Sequence, residues 1–226
     1  MILAAHQPTY FPSVTYFLKM AQSNVFLIAD DLQFSAHGNF NRTRIKSEDN
    51  DTWLTVPILS KNKGIQKINE VEIDNHHNWL PKHLKTLEIS YKNAGYFGLL
   101  EFEFEKIFTN SWEKLFDLNL ASINLLKKYL LIKTKLCFMS SFPSNADVNQ
   151  RLIQIMKEMN CKTYLVESQF SQYINVDVFS KAGLNVIFRD FHHPAYRQSG
   201  NNFIRNLSAL DLILNEGELS YRFLSK

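Results

Sequence analysis

The chain has 226 residues, a hydrophobic share of 45% and a net charge of +3, enough to build a core without disulfide or metal staples and consistent with one domain over 1–226. It carries no long Lys/Arg run, which argues against duplex nucleic acid as the main partner, and its two cysteines, Cys137 and Cys161, make no disulfide framework. The first apolar run is too short for a signal peptide and no stretch approaches a membrane span, so a cytoplasmic protein without membrane insertion is expected.

Ile2 to Ala5 reads as a short buried strand that stops at His6 and Gln7. Pro8 and Pro12 then bracket Tyr10 and Phe11, and Pro12 opens a helix over Ser13 to Gln22. "NVFLIADD" is a second strand, with Asp30 and Asp31 at its C-terminal end. A polar turn, "SAHGNFN", leads into "RTRIK", where Arg42 and Arg44 share a face if the segment is extended. "WLTVPI" reads as a strand ended by Pro57, and "QKINEVEI" as another, pairing nearby through Ile68, Val71 and Ile73.

The middle of the chain is helical: His76 to Tyr91, Tyr96 to Thr109 and Ser111 to Leu131 all space their apolar residues at three and four. In the third, Leu115, Leu118, Ile123, Leu126 and Leu130 form one buried stripe. The closing part alternates: strand "KLCFMSS", helix Ala146 to Met159, strand "KTYLVES", helix Val176 to Ala182, strand "NVIFRDF", then a last helix from Leu210 to Asn215 that stops before Gly217. This alternation implies an α/β fold: a mixed, partly parallel sheet flanked by helices, with a helical insertion in the middle of the chain.

In open α/β sheets ligands bind beyond the C-terminal strand ends. His6 and Gln7, Asp30 and Asp31, Glu167 and Ser168, and Asp190 with His192 and His193 all follow strands, so parallel neighbours would bring them together. A histidine there can move a proton near neutral pH. Gln7, Gln33 and Asn41 suit a hydroxyl-rich ligand, and the guanidinium forks of Arg42 and Arg44 suit phosphate. Each has a plainer role: a loop anchor for His6, a turn or cap for Asp30 and Asp31, solvated ion pairs for the arginines. Asp49-Asn50-Asp51 spells the D-x-D of metal-using sugar transferases but follows no buried strand. The adjacent pairs His76–His77 and His192–His193 lack a third ligand, so no metal site is expected. No Walker A loop, G-x-G-x-x-G, G-x-S-x-G or kinase motif is present, and neither cysteine has an activating setting.

"HQPTYFPSVTYF", "VFLIADDLQFSAHGNFNRTRI", "NWLPKHLKTLEISYKNAGYF", "FHHPAYRQ" and "NLSALDLILNEG" occur in the order in which related motifs occur in the WbqC-like family of bacterial proteins, which the chain therefore resembles over about 215 residues. The chain departs from that pattern at Ser13 and Thr15, where the family commonly has Trp and Gly, and at Glu167-Ser168, where it has Ser-Gly. The resemblance implies work on bacterial surface polysaccharide, O-antigen in particular. By matching position it carries over His6, Gln7, Tyr10, Asp30, Asp31, Gln33, Asn41, Arg42, His83, Tyr91, Tyr196, Gln198, Ser208 and Asp211. Ser208 and Asp211 have a plainer reading as caps of the last helix.

The expected activity is acyl or aminoacyl transfer to the amine of a nucleotide-linked amino sugar, with no cofactor. His6 is expected to act as base, oriented by Asp31, with Arg42 on the phosphates and Gln7 or backbone N–H groups on the oxyanion. The alternatives are a non-catalytic module that binds a sugar nucleotide or an acyl carrier, and a metal-dependent sugar transferase using Asp30 or Asp31.

Overall fold

The computed structural model describes residues 1–35, 38–48, 50–60 and 63–224. Ala36 and His37 of the polar turn, and Asp49 of the D-x-D string, lie outside them. The chain runs through β1 (Ile2–His6), α1 (Val14–Ala21), β2 (Val25–Ile28), β3 (Arg42–Ser47) and β4 (Asn50–Thr55). Three helices follow: α2 (Trp79–Tyr91), α3 (Phe97–Thr109) and α4 (Leu115–Tyr129). Then come β5 (Lys135–Phe138), α5 (Val148–Glu158), β6 (Thr163–Val166), α6 (Val176–Lys181), β7 (Asn185–Phe188) and α7 (Ala209–Glu216).

Five strands form one sheet in the order β5-β2-β1-β6-β7, every neighbouring pair parallel. The α/β architecture and the helical insertion are those the alternation implies. The two strand directions, however, are segregated: β3 and β4 form a separate antiparallel hairpin. β2 shows why a central parallel strand loses its alternation. All four residues of "VFLI" are buried, because helices cover both faces. Phe26 and Ile28, with Ala4 of β1, pack toward α1, α4 and α7, whereas Val25 and Leu27, with Leu3, pack toward α5 and α6.

Helix starts follow side-chain chemistry. Asp147 accepts from the Asn149 and Gln150 N–H groups at α5, and Ser208 accepts from the Leu210 N–H at α7, so Ser208 is a cap. α7 stops at Gly217, whose φ of 58° and close approach to the Tyr96 ring leave no room for a Cβ.

Three expected strands differ in extent. "WLTVPI" shifts back to β4, because its ladder pairs Trp53 with Arg44 and Leu54 with Thr43. "QKINEVEI" is a 3₁₀ turn, Ile68–Glu70, joined to neighbours by single bridges. The step from Ile68 to Val71 is three residues, which a turn fits and a period of two does not. "KLCFMSS" leaves the sheet after Phe138, because the Ser140 N–H and hydroxyl both bond the Asp30 carboxylate.

Candidate functional site

From β1 the chain moves first toward β2 and only later toward β6, so the rim beyond β1 and β6 is the topological switch point of the sheet, where α/β folds bind ligands. A cavity of about 460 Å³ opens there. It is walled by His6 from the end of β1, Thr9 to Ser13, the first turn of α1, Arg42, Arg44 and Trp53 of the hairpin, Glu167 after β6, and Asn206 and Ser208 before α7. A cavity of about 540 Å³ lies at the opposite edge of the sheet, between the ends of α1 and α4, with Lys133 as the one charged lining residue among the described residues. Chemistry, not size, therefore favours the first.

The loop from Gln7 to Pro12 is held by buried polar groups. Asn119 of α4, fully buried, donates to the Pro8 and Phe40 carbonyls at 3.2 and 2.9 Å. Ser122 of the same helix accepts from the Phe11 N–H at 3.0 Å, and the Thr43 hydroxyl donates to the Phe11 carbonyl at 2.8 Å. These bonds hold Phe11 at φ 41°, a left-handed conformation unfavourable for a bulky residue. The result is a tight bend that sets His6 beside the first turn of α1.

The His6 Nδ1 lies 2.9 Å from the Gln7 carbonyl, which can only accept, so Nδ1 carries the hydrogen and Nε2 keeps a lone pair. Burial, reinforced by the Lys19 charge, lowers the imidazole to about 4, so the ring is neutral at physiological pH. The carboxylate that acts on it is Glu167, which pulls the other way. Glu167 is itself paired with Lys19 at 3.2 Å, and the Lys19 side chain is only 2% exposed. Burial pulls the Lys19 ammonium below its usual range against the attraction of Glu167. Tyr16, edge-on to His6 at 4.8 Å, is 4% exposed, and its buried hydroxyl has no hydrogen-bond partner among the described residues.

The hairpin supplies the positive wall. Arg44 is spent on Asp51, through Nε and Nη2, both at 2.7 Å. Among the described residues Arg42 bonds only Asn39, through Nε at 3.0 Å, and its guanidinium lies over the Trp53 ring at 4.7 Å. Of the residues expected in a site, His6, Tyr10, Arg42 and Arg44 line the cavity. Ser13, Thr15 and Glu167, three positions where the sequence departs from the pattern it resembles, line it too, and the Ser13 and Thr15 hydroxyls bond each other at 2.8 Å.

The other expected residues are elsewhere. Asp31 does not orient His6: it forms a two-point pair with Arg151 of α5, at 3.1 and 2.5 Å, on the opposite side of the sheet. Asp30, 2% exposed, binds Ser140 and Asn69. With those oxygens engaged, the two carboxylates do not fit a cation, and no group of three candidate ligands occurs among the described residues. Gln33 is exposed and bridges to Lys67. The Asn41 amide donates to the Val56 carbonyl at 2.8 Å, and Gln7 contributes its carbonyl to His6 rather than a side chain to the cavity.

His83 and Tyr10 bond at 3.1 Å inside the core, with burial lowering His83 to about 4. Tyr91, Tyr196 and Gln198 belong to a buried network around Asp211. The Tyr196 hydroxyl donates to Asp211 at 2.7 Å, and burial raises the Asp211 carboxyl. The Tyr91 hydroxyl accepts from the Lys46 N–H at 3.0 Å, while the buried Lys46 ammonium donates to Gln198 and the Asn202 carbonyl. Gln198 exchanges bonds with Ile204. The network fastens the 196–204 segment to α7, and its members do not line the cavity. Asp190, His192 and His193 border a separate cavity of about 380 Å³.

Trp53, Tyr16, Lys19, Asn119 and Ser122 were not singled out as site residues by sequence reasoning. The last two had a signal: they fall within the apolar stripe of α4, between Leu118 and Ile123, where a polar residue needs a buried partner. Lys19 had a similar one, sitting on the buried side of α1.

The model of the WbqC-like protein family matches residues 7–223. Among curated proteins, the uncharacterized protein Rv1507c of Mycobacterium tuberculosis is 29% identical over 221 residues, covering 95% of this chain and 94% of that one. No solved structure matches. No helix among the described residues is long and apolar enough to cross a membrane.

Proposed function

The chain belongs to the WbqC-like protein family, and from that premise we propose a cytoplasmic enzyme of bacterial surface polysaccharide synthesis that transfers an acyl or aminoacyl group to the amine of a nucleotide-linked amino sugar. The observation that carries the reading is His6: a neutral imidazole, its Nδ1 hydrogen held by Gln7, in a cavity that also presents the Arg42 cation. The deprotonated sugar amine attacks the carbonyl carbon of a thioester or ester. As its lone pair becomes the C–N bond, the nitrogen turns acidic and passes a proton to Nε2. The C–S or C–O bonding pair then leaves with its sulfur or oxygen, which takes that proton from the imidazolium. A base titrating near 4 is weak, so it acts after C–N bond formation has acidified the amine and not before. Glu167 stabilises the imidazolium through space in the role first expected of Asp31. Arg42 binds the phosphates.

The test is a mass-spectrometric screen of the protein with amino-sugar nucleotides and acyl or aminoacyl donors, repeated with His6→Gln. Transfer that collapses in His6→Gln while substrate binding persists supports the reading. Absence of product in every pairing, or full turnover by His6→Gln, removes it. The weak basicity of His6 also favours a second reading, a non-catalytic module in which Nε2 only accepts a hydrogen bond from the sugar nucleotide.

A further inference from the structure

We infer that the hairpin wall of the cavity is a nucleoside-diphosphate seat, in which Trp53 stacks the base and Arg42 takes the diphosphate. This rests on reading the cavity as the substrate site, and it names what holds the nucleotide half of that substrate.

Trp53 stays 44% exposed although it lines a cavity and although Arg42 covers one of its faces at 4.7 Å. The other tryptophans are already placed: Trp79 is 4% exposed with its indole N–H on Asn75, and the Trp112 indole N–H donates to the Ile107 carbonyl. A large aromatic surface left wet inside a concave site gains most from a flat ring laid on it, as in base stacking.

Arg42 supplies the second half. Its neighbour Arg44 is neutralised by the two-point pair with Asp51, whereas Arg42 spends only Nε, on a neutral amide. Its two terminal amines have no partner among the described residues and form the planar fork that matches a pair of phosphate oxygens. A nucleotide places a base and a diphosphate one ribose apart. Arg44 also lies over the Trp53 ring, at 6.0 Å, so the base lies on the exposed indole surface that the two guanidinium groups leave open, the ribose passes the indole edge, and the diphosphate meets the Arg42 guanidinium. The rest of the cavity, toward His6 and Glu167, is left for the group that the diphosphate carries.

The experiment is a titration of the full chain with uridine, thymidine, cytidine and guanosine 5′-diphosphates and with pyrophosphate, read by calorimetry and tryptophan emission, with no acyl donor present. At least one nucleoside diphosphate is expected to bind saturably and change the emission; pyrophosphate competes without changing it. Trp53→Phe removes the emission change and weakens binding by roughly tenfold. Arg42→Gln weakens it by roughly tenfold or more and abolishes competition by pyrophosphate. Thermal melts of both variants check that the fold is kept. Failure of all four nucleotides to bind, or unchanged affinity in both variants, overturns the seat. Binding with no transfer product in any pairing leaves the seat and removes the proposed reaction; transfer to an amino sugar without nucleotide binding does the reverse.

Discussion

Lys19 of α1 and Glu167, the residue after β6, meet at 3.2 Å, and His6 sits in the field of both charges. The Lys19 side chain is 2% exposed and that of Glu167 is 21% exposed, so the ammonium depends on this carboxylate more than the carboxylate depends on it. Glu167→Gln keeps the shape and strands the buried ammonium. Breaking a fully buried pair costs about 3–5 kcal/mol; with Glu167 partly wet, about 1–3 kcal/mol is expected at pH 7 in urea melts. His6 should then titrate lower still, having lost the one charge that raises it. Lys19→Met removes the cation that depresses His6, so the His6 pKa rises, while stability stays within about 1 kcal/mol because an apolar group replaces a buried charge. Histidine titration by NMR reads both shifts, and a His6 pKa unmoved in both variants contradicts the coupling.

Acid should weaken the fold in a window set by histidine. His6 and His83 are lowered to about 4, against the ordinary histidine value of 6.5. Between those values the unfolded chain binds protons that the folded chain refuses, so stability falls as pH drops from 6.5 toward 4 and is level above 6.5 as far as these groups are concerned. Each contributes at most about 3 kcal/mol over the window. The carboxylate of Asp51, lowered by its bonds to Arg44, acts in the opposite region: its contribution is complete above the usual aspartate range and is lost only below it. Urea midpoints at pH 7, 6 and 5 should therefore decline before any such carboxylate titrates, and the His83→Gln variant should decline less. A decline no smaller in His83→Gln than in the parent would show that burial does not hold the His83 imidazole neutral.

Tyr16→Phe tests the orphan hydroxyl. A buried O–H without a partner carries a desolvation cost of about 1–3 kcal/mol, and removing the oxygen while keeping the ring relieves it. The variant is expected to melt at or above the parent temperature. A less stable variant would mean that the oxygen has a protein partner after all.

The architecture was legible where periodicity is strong. β2 and α4 show continuous burial or a clear stripe, and the strand–helix alternation after Lys135 forces parallel neighbours. The expectation that polar residues after parallel strands converge was right about the edge and too coarse about the face. His6 and Glu167 share the cavity, whereas Asp31, one strand over, turns toward α5 and finds Arg151. Sequence alone cannot see this, because the two sides of a parallel sheet are both buried and their strands carry no alternating signature. Matched motifs mislead in another way. Tyr91, Tyr196, Gln198 and Asp211 look like a site because they are polar and patterned, yet their chemistry is spent on one another in the interior. Trp53 was hidden for the opposite reason: in an alternating strand an aromatic residue reads as core.

Asp31→Asn separates the arrangement found from the one the sequence suggested. The Arg151 side chain is 8% exposed and that of Asp31 is 10% exposed, so the pair is buried on both sides. Arg151 also donates to the Met139 carbonyl at 2.9 Å, which leaves it fixed in place when its carboxylate is lost. Asn can accept one of the two bonds but carries no charge, so the guanidinium stays buried and uncompensated, and a loss of about 3–5 kcal/mol is expected in urea melts. Arg151→Met, which removes the cation instead, leaves Asp31 unpaired and should also destabilise; the double variant should recover much of the loss, since neither charge is then stranded. His6 is the control. With Glu167 and Lys19 setting its environment, the Asp31→Asn protein should show the same His6 titration as the parent, and any transfer activity of the folded fraction should keep its kcat. A His6 pKa that falls in Asp31→Asn would return Asp31 to the imidazole and undo the assignment of Glu167.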